Sequence, residues 1–187
     1  QDMDADEVLV MRMAMSLPIY VLVLVWSLRR NSANTNLNLS IIAKIFMLGF
    51  FGYYLASLLD LMSLELISAQ LERLGLFTYP FMVALLGYFF FNEKITRRII
   101  FSLVITYVGL YVVVGHDLRL TGEGVVEGTL LVLGSALSFS FYVLFSKRYI
   151  KQLGSQLFTC IAMISSCLFG LLHGVVVLEI ADFSITQ

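Results

Sequence analysis

Apolar positions in this chain do not alternate with polar ones in a strand-like or one-sided helical pattern. They form long continuous runs separated by short polar breaks. Six runs cover residues 8–28, 41–66, 70–91, 99–115, 125–145 and 157–178. Each holds about 17 to 26 residues, which at about 1.5 Å per residue gives about 26 to 39 Å against a hydrocarbon layer about 30 Å thick, the fourth run being the short one. Runs that are apolar on every side suit helices surrounded by lipid or by other helices. The pattern predicts an all-α, polytopic membrane protein with six spans. Small residues recur within the runs at helix-contact spacing: Gly49, Gly52 and Ala56 in the second, Gly128, Gly134 and Ser138 in the fifth, and Gly170 and Gly174 in the sixth, with His173 between the last two. Such positions let two helix backbones approach closely.

Composition points the same way. Hydrophobic residues make up 59% of the 187 and charged residues 13%, against roughly 25% charged in a soluble domain. Mean hydropathy is +0.91. So few charges could not cover a water-soluble core. The acidic start QDMDADE has neither an initiator Met nor the basic opening of a signal peptide, so a processed or partial chain is expected. Cys160 and Cys167 lie seven residues apart on one helical run, about 10 Å along its axis. That is too far for a disulfide, and no Cys or His partner has metal-ligand spacing, so two packing cysteines are expected and no metal site. The chain has no HExxH, no GxSxG, no phosphate loop and no basic nucleic-acid face. A non-enzymatic protein without cofactor or nucleic-acid partner is expected.

Charge position fixes an expected orientation. Six serial spans must alternate sides, and if Arg29 and Arg30 face the cytoplasm, Lys44, Lys94, Arg97, Arg98, Lys147, Arg148 and Lys151 fall on that same side. The other side has Arg119 with Asp2, Asp4, Asp6, Glu7, Asp117, Glu123, Glu179 and Asp182. This is the positive-inside distribution, and it places the N-terminus of the chain in the periplasm.

The charges that remain lie inside spans or at their edges: Arg12, Asp60, Glu65, Glu72, Arg73 and His173. In that orientation all of them occupy the outer third of the bilayer. Asp60 stands about 24 Å above Lys44. Ionisable groups at such depths cost about 2.5 to 3.5 kcal/mol each on insertion scales and usually face a partner or a water-filled path. Two readings stand. The groups form a structural ion-pair network joining the outer helix ends, or they line a substrate path or outer gate. If Arg12 and Arg73 neutralise two of the carboxylates, one is left to titrate or to bind a cation, which leaves proton coupling open. Pro18 and Pro80 fall near mid-membrane in the first and third spans, where each removes a backbone hydrogen bond and is expected to kink its helix. Tyr53 and Tyr79 are amphipathic side chains that could line the same path, or pack, or sit in an interfacial belt.

The order of parts resembles the EamA-type transporters of the drug/metabolite transporter superfamily. The likeness is carried by LGFFGYYLASLLDLMSLELISA, a tight turn at Ser68-Ala69-Gln70, LERLGLFTYPFMVALLGYFFFNEKIT, and a following span ending YVGLYVVVG. Pro80, Glu93 and Gly109 match the family's Pro-containing helix closed by a glutamate and its next helix with a late glycine. EGTLLVLGSALSFSFYVLFSKRYIK looks like the first helix of a second repeat. The resemblance implies a ten-helix fold of two inverted five-helix repeats, of which this chain supplies helices two to seven: 1–117 as the first repeat without its first helix, and 118–187 as the start of the second. It also implies a multi-pass inner-membrane carrier that moves a small organic metabolite or drug-like compound, often outward, by alternating access, with homo-oligomerisation left open. From the residues alone, a non-transporting scaffold or sensor with a charged periplasmic rim is the competing expectation, and a membrane enzyme completed by further helices is a third.

Overall fold

The computed structural model describes residues 5–30, 38–92, 96–120 and 124–185. The expected loop around 31–37, Glu93 and Lys94 lie outside the described residues. Among those that are described, every regular element is helical: α1 (Ala5–Arg30), α2 (Leu39–Gly49), a π-helical segment (Phe50–Leu55), α3 (Ala56–Leu64), α4 (Ala69–Leu76), α5 (Tyr79–Phe91), α6 (Arg97–Leu120), α7 (Val125–Leu153) and α8 (Ser155–Ile185). Five stretches are long and apolar enough to cross a membrane: Glu7–Arg29, Leu39–Leu64, Ala69–Phe91, Val125–Leu153 and Ser155–Val176. The 24-residue α6 stands where the fourth span is expected. The protein is thus an all-α, multi-pass membrane protein.

The helices group into two compact units that do not follow chain order. One contains the chain up to Tyr54 together with the chain from Phe145 onward, and the other contains Leu55–Leu144. In the first, α8 packs along α1 and α2. Its small residues make this possible. A Cβ added at Gly170 would meet Met13 Cγ at 2.8 Å, and one at Gly174 would meet Val10, so the GxxxG face of α8 is seated on α1. A Cβ at Gly49 would meet the Ala162 backbone itself, with the Ala162 carbonyl carbon and Cα each at 2.9 Å. Hydroxyls finish the contact. Ser165 Oγ donates to the Phe46 carbonyl at 2.7 Å, and Ser16 Oγ lies 3.4 Å from Cys167 Sγ. Both cysteines are free and buried in this packing.

In the second unit Ile67, Leu71, Val125 and Val132 form a buried core, with Leu66, Leu74 and Tyr107 packed around it. Gly128 lets α7 approach the end of α3, since a Cβ there would meet Ile67 Cγ2 at 2.6 Å and Leu66 Cβ at 2.9 Å. Ser135 Oγ donates to the Ala56 carbonyl at 2.8 Å. Large exposed apolar side chains remain on α5 and α6, among them Phe89, Phe101, Val108 and Tyr111, as expected where lipid is the solvent.

Two expectations about local geometry change. The tight turn between the second and third spans is formed by residues 65–67, because Ser68 is the N-cap of α4: its Oγ accepts from the Leu71 N–H at 3.2 Å. Pro18 does lie inside an unbroken helix. Pro80, by contrast, does not kink a continuous helix. It occupies the first turn of α5, where its missing N–H leaves no intrahelical bond unmade, and the span is divided at Phe77–Thr78 into two half-helices.

Candidate functional site

The site starts from the turn that joins α3 to α4. Ser63 Oγ donates to the Asp60 carbonyl at 2.6 Å, which ties down the last turn of α3. After the 65–67 turn, the Ser68 cap starts α4 with Glu72 in its first turn, where the helix dipole favours an acidic side chain. Consecutive residues on a helix are about 100° apart, and here that separation is decisive. Glu72 points inward and is only 6% exposed, whereas Arg73 is exposed.

Inside this hairpin the Glu72 carboxyl lies within hydrogen-bonding reach of Asp60, with the Arg73 charge nearby. A carboxylate carries only acceptors, so two carboxyl groups bond to each other only when one holds a proton. Asp60 Oδ1 is buried and makes no hydrogen bond among the described residues. The arrangement therefore gathers two carboxyl groups and an unsatisfied acceptor oxygen in one hairpin, beside the Arg73 charge. Sequence reasoning paired the carboxylates with arginines; the direct contact between Asp60 and Glu72 is a feature that reasoning missed. Their spacing of twelve residues across a turn carries no helical signal that would have revealed it.

Below the pair, the break in the third span is built from backbone and hydroxyl groups. Thr78, fully buried, donates through Oγ1 to the Gly75 carbonyl at 2.7 Å and so satisfies an end of α4. Ser140 Oγ on α7 lies 3.0 Å from the Tyr79 carbonyl and 2.6 Å from the Ala136 carbonyl. Tyr79 packs edge-on against Phe139, with ring centroids 5.4 Å apart. Asp60, Glu72, Arg73 and Tyr79 thus belong to one compact unit. Non-helical backbone at membrane depth is tolerated only against protein or a water-filled cavity, and here the break is covered by Ser140 and Phe139 of α7.

Residues 1–115 match the EamA-like transporter family. The chain belongs to that family. It is therefore a membrane transporter of the drug/metabolite transporter superfamily. No curated protein and no solved structure matches it.

The remaining expected site residues of this EamA-like transporter fall elsewhere. Glu65 is exposed at the C-cap of α3. Arg12 is exposed on α1, in the unit that does not contain Asp60. Tyr53 is half-buried in the π-helical segment. Next to it is a cluster around His173, one of the ionisable groups expected within the spans. Tyr54 Oη lies 3.0 Å from His173 Nδ1, and the Tyr54 ring, with Phe50, stacks around Phe169 at centroid distances of 6.0 and 4.8 Å. His173 thus has an aromatic and hydrogen-bonded setting within its own unit. The candidate metal set is empty among the described residues, where no group of three His, Cys, Asp or Glu side chains converges.

Proposed function

We propose that this transporter carries a small organic solute outward across the inner membrane, and that Asp60 and Glu72 handle the proton that accompanies transport. The observation that carries this reading is the carboxyl–carboxyl contact at the head of a divided span. A proton shared by the buried Glu72 and the half-buried Asp60 neutralises one of them, and its release adds a charge inside the hairpin, which changes the cost of keeping it dry. Proton release and closure of the outer gate are coupled in this way. Arg73 adjusts the pair from the exposed face of α4, and Tyr79 and Glu65 of the same unit contribute to the wall of the path. Orientation follows the positive-inside distribution, with the outer ends of α3 and α4 toward the periplasm. In the alternating-access scheme of two inverted repeats, 1–117 belongs to the first repeat and 118–187 opens the second.

The test is a comparison of exported metabolites from cells expressing the full-length protein, Asp60→Asn or Glu72→Gln, at matched membrane abundance. Loss of export, with loss of the response to an imposed pH gradient in vesicles, is the expected result. Wild-type flux and pH response in both variants would leave the pair a structural element only.

A further inference from the structure

In the compact unit that holds α1, α2, α8 and the C-terminal part of α7, side-chain contacts fix the direction of the helices. Along α1 and α8 the partners are Ser16 with Cys167, Met13 with Gly170 and Val10 with Gly174, so these two run antiparallel. Continued along both helices, that register brings Arg29 about level with Gly154, the single residue between α7 and α8. Along α2 and α8 the partners are Phe46 with Ser165, Phe50 with Phe169 and Tyr54 with His173, so these run parallel and α2 starts where α8 starts. The end of α1, the end of α7 and the starts of α2 and α8 therefore meet at one end of the unit. That end is basic. Arg29, Lys44 in the second turn of α2, and Lys147, Arg148 and Lys151 near the end of α7 are all exposed. No Asp or Glu occurs between Val8 and Tyr54 or between Phe145 and Leu178, so the stretches that meet here bring no carboxylate with them. The cations are also continuous with an apolar stripe. Met15, Ile19, Leu22 and Trp26 of α1 are each more than half exposed. Steps of three or four residues set them on one helix face, and Arg29 takes the next position along it.

We propose that this end binds an anionic phospholipid, with its headgroup on Arg29 and the α7 cations Lys147, Arg148 and Lys151 and an acyl chain along the Met15-to-Trp26 stripe of α1. Phosphate oxygens are acceptors, and guanidinium and ammonium groups are donors without acceptors, so the two sides are complementary in charge and in hydrogen bonding. The stripe decides between a lipid and a soluble anion. A soluble anion uses the cations and leaves the apolar face bare, whereas a phospholipid uses both. Lengths agree as well. From Met15 to Trp26 the stripe runs about 16 Å, close to half of a hydrocarbon layer about 30 Å thick, which is the depth that one acyl chain fills. Lys44 stands a turn and a half inside its span and reaches the headgroup layer along its four-carbon stem. In the orientation proposed above this is the cytoplasmic leaflet, whose anionic lipids attract clustered Lys and Arg. The binding needs no solute and is read separately from transport.

The test is equilibrium binding of phosphatidylglycerol with a fluorescent acyl chain to the full-length protein in detergent, read by anisotropy and by displacement with unlabelled competitors. Unlabelled phosphatidylglycerol is expected to displace the probe at lower concentration than phosphatidylcholine of the same chains, and the difference should shrink at high salt. One Lys or Arg beside anionic headgroups contributes about fivefold in binding, so Lys151→Gln should weaken phosphatidylglycerol by that factor and leave phosphatidylcholine unchanged. Replacing Lys147, Arg148 and Lys151 together by Gln should abolish the preference. Arg97→Gln with Arg98→Gln, which removes exposed cations from the other unit, should leave it intact. Equal displacement by the two lipids overturns the proposal, and that comparison is made on unaltered protein, so it stands even where a variant fails to insert. A preference that survives the triple substitution, or that is lost equally in the Arg97 and Arg98 variant, overturns it as well. Inorganic phosphate displacing the probe as effectively as phosphatidylglycerol would show that the anion alone is bound, which also overturns it.

Discussion

Substituting Gly49 by Ala probes the packing of α2 on α8 at its tightest point. The new methyl would meet the Ala162 carbonyl carbon and Cα at 2.9 Å, and the Ala162 carbonyl oxygen more closely still. These are backbone atoms, so no side chain can rotate away, and the helices must separate by most of an ångström to restore ordinary contact. Overpacking of this kind costs about 1 to 3 kcal/mol, with the upper end expected for a rigid neighbour. Separation also lengthens the Ser165–Phe46 hydrogen bond, which is 2.7 Å and sits one turn away on each helix. Interhelical side-chain bonds in membranes contribute about 0.6 kcal/mol. The sum, about 2 to 4 kcal/mol, lowers the folded-to-unfolded ratio by a factor of about 30 to several hundred.

The control is Gly109→Ala on α6, where a Cβ meets nothing within 4 Å. It removes a glycine from a helix interior without a clash and is expected to be neutral or to stabilise by up to about 1 kcal/mol. Folded fraction after graded denaturation in detergent, read by size exclusion of a fluorescent fusion, compares the two variants. Gly49→Ala should lose its monodisperse peak at a distinctly lower temperature than the parent, and Gly109→Ala should not. Equal behaviour of the two variants would refute the close approach of α2 to α8 and the packing argument built on it.

Three further outcomes are expected. Tyr54→Phe removes the 3.0 Å contact with His173 while keeping the ring stack on Phe169, so denaturant titration should show a loss of about 0.6 kcal/mol, whereas Tyr54→Ala should lose several times more. Ser135→Ala should cost a similar small amount by the same titration, because the Ala56 carbonyl it leaves still bonds within its own helix. Cys160 and Cys167, buried at 2% and 0% exposure, should resist a membrane-permeant maleimide in the folded protein and react once it is unfolded, as read by mass shift.

The sequence was informative where the physics is one-dimensional. Span number, helical class and the use of glycines as contact points depend on run length and spacing, and Gly49, Gly128, Gly170 and Gly174 all mark close approaches. It was less informative where backbone geometry changes without a change of composition. FFGYYL has nothing to separate a π turn from an α turn, since all its residues are apolar or aromatic and the surplus residue is absorbed locally. Pro80 announces a disturbance, but whether proline bends one helix or begins another depends on where the preceding carbonyls find donors. Here Thr78 supplies one to Gly75, and the helix restarts. The carboxyl pair was illegible for another reason. Opposite charges attract at any geometry, so Arg12 and Arg73 were natural partners on paper. Both arginines are exposed and Glu72 is buried facing Asp60, with the Arg73 charge still beside it.

Burial separates two kinds of polar group in these spans. The buried hydroxyls of Ser135, Ser140, Ser165 and Thr78 each reach a backbone carbonyl, so they are satisfied whatever the protein does next. Groups of this kind hold helices together and need no second state. Asp60 and Glu72 are different, since each faces another carboxyl rather than a backbone carbonyl, and Asp60 Oδ1 has no hydrogen bond among the described residues. Burial of the Glu72 carboxyl beside a second carboxyl thus sets this pair apart from the hydroxyls, which join helices without bringing a charged group inside.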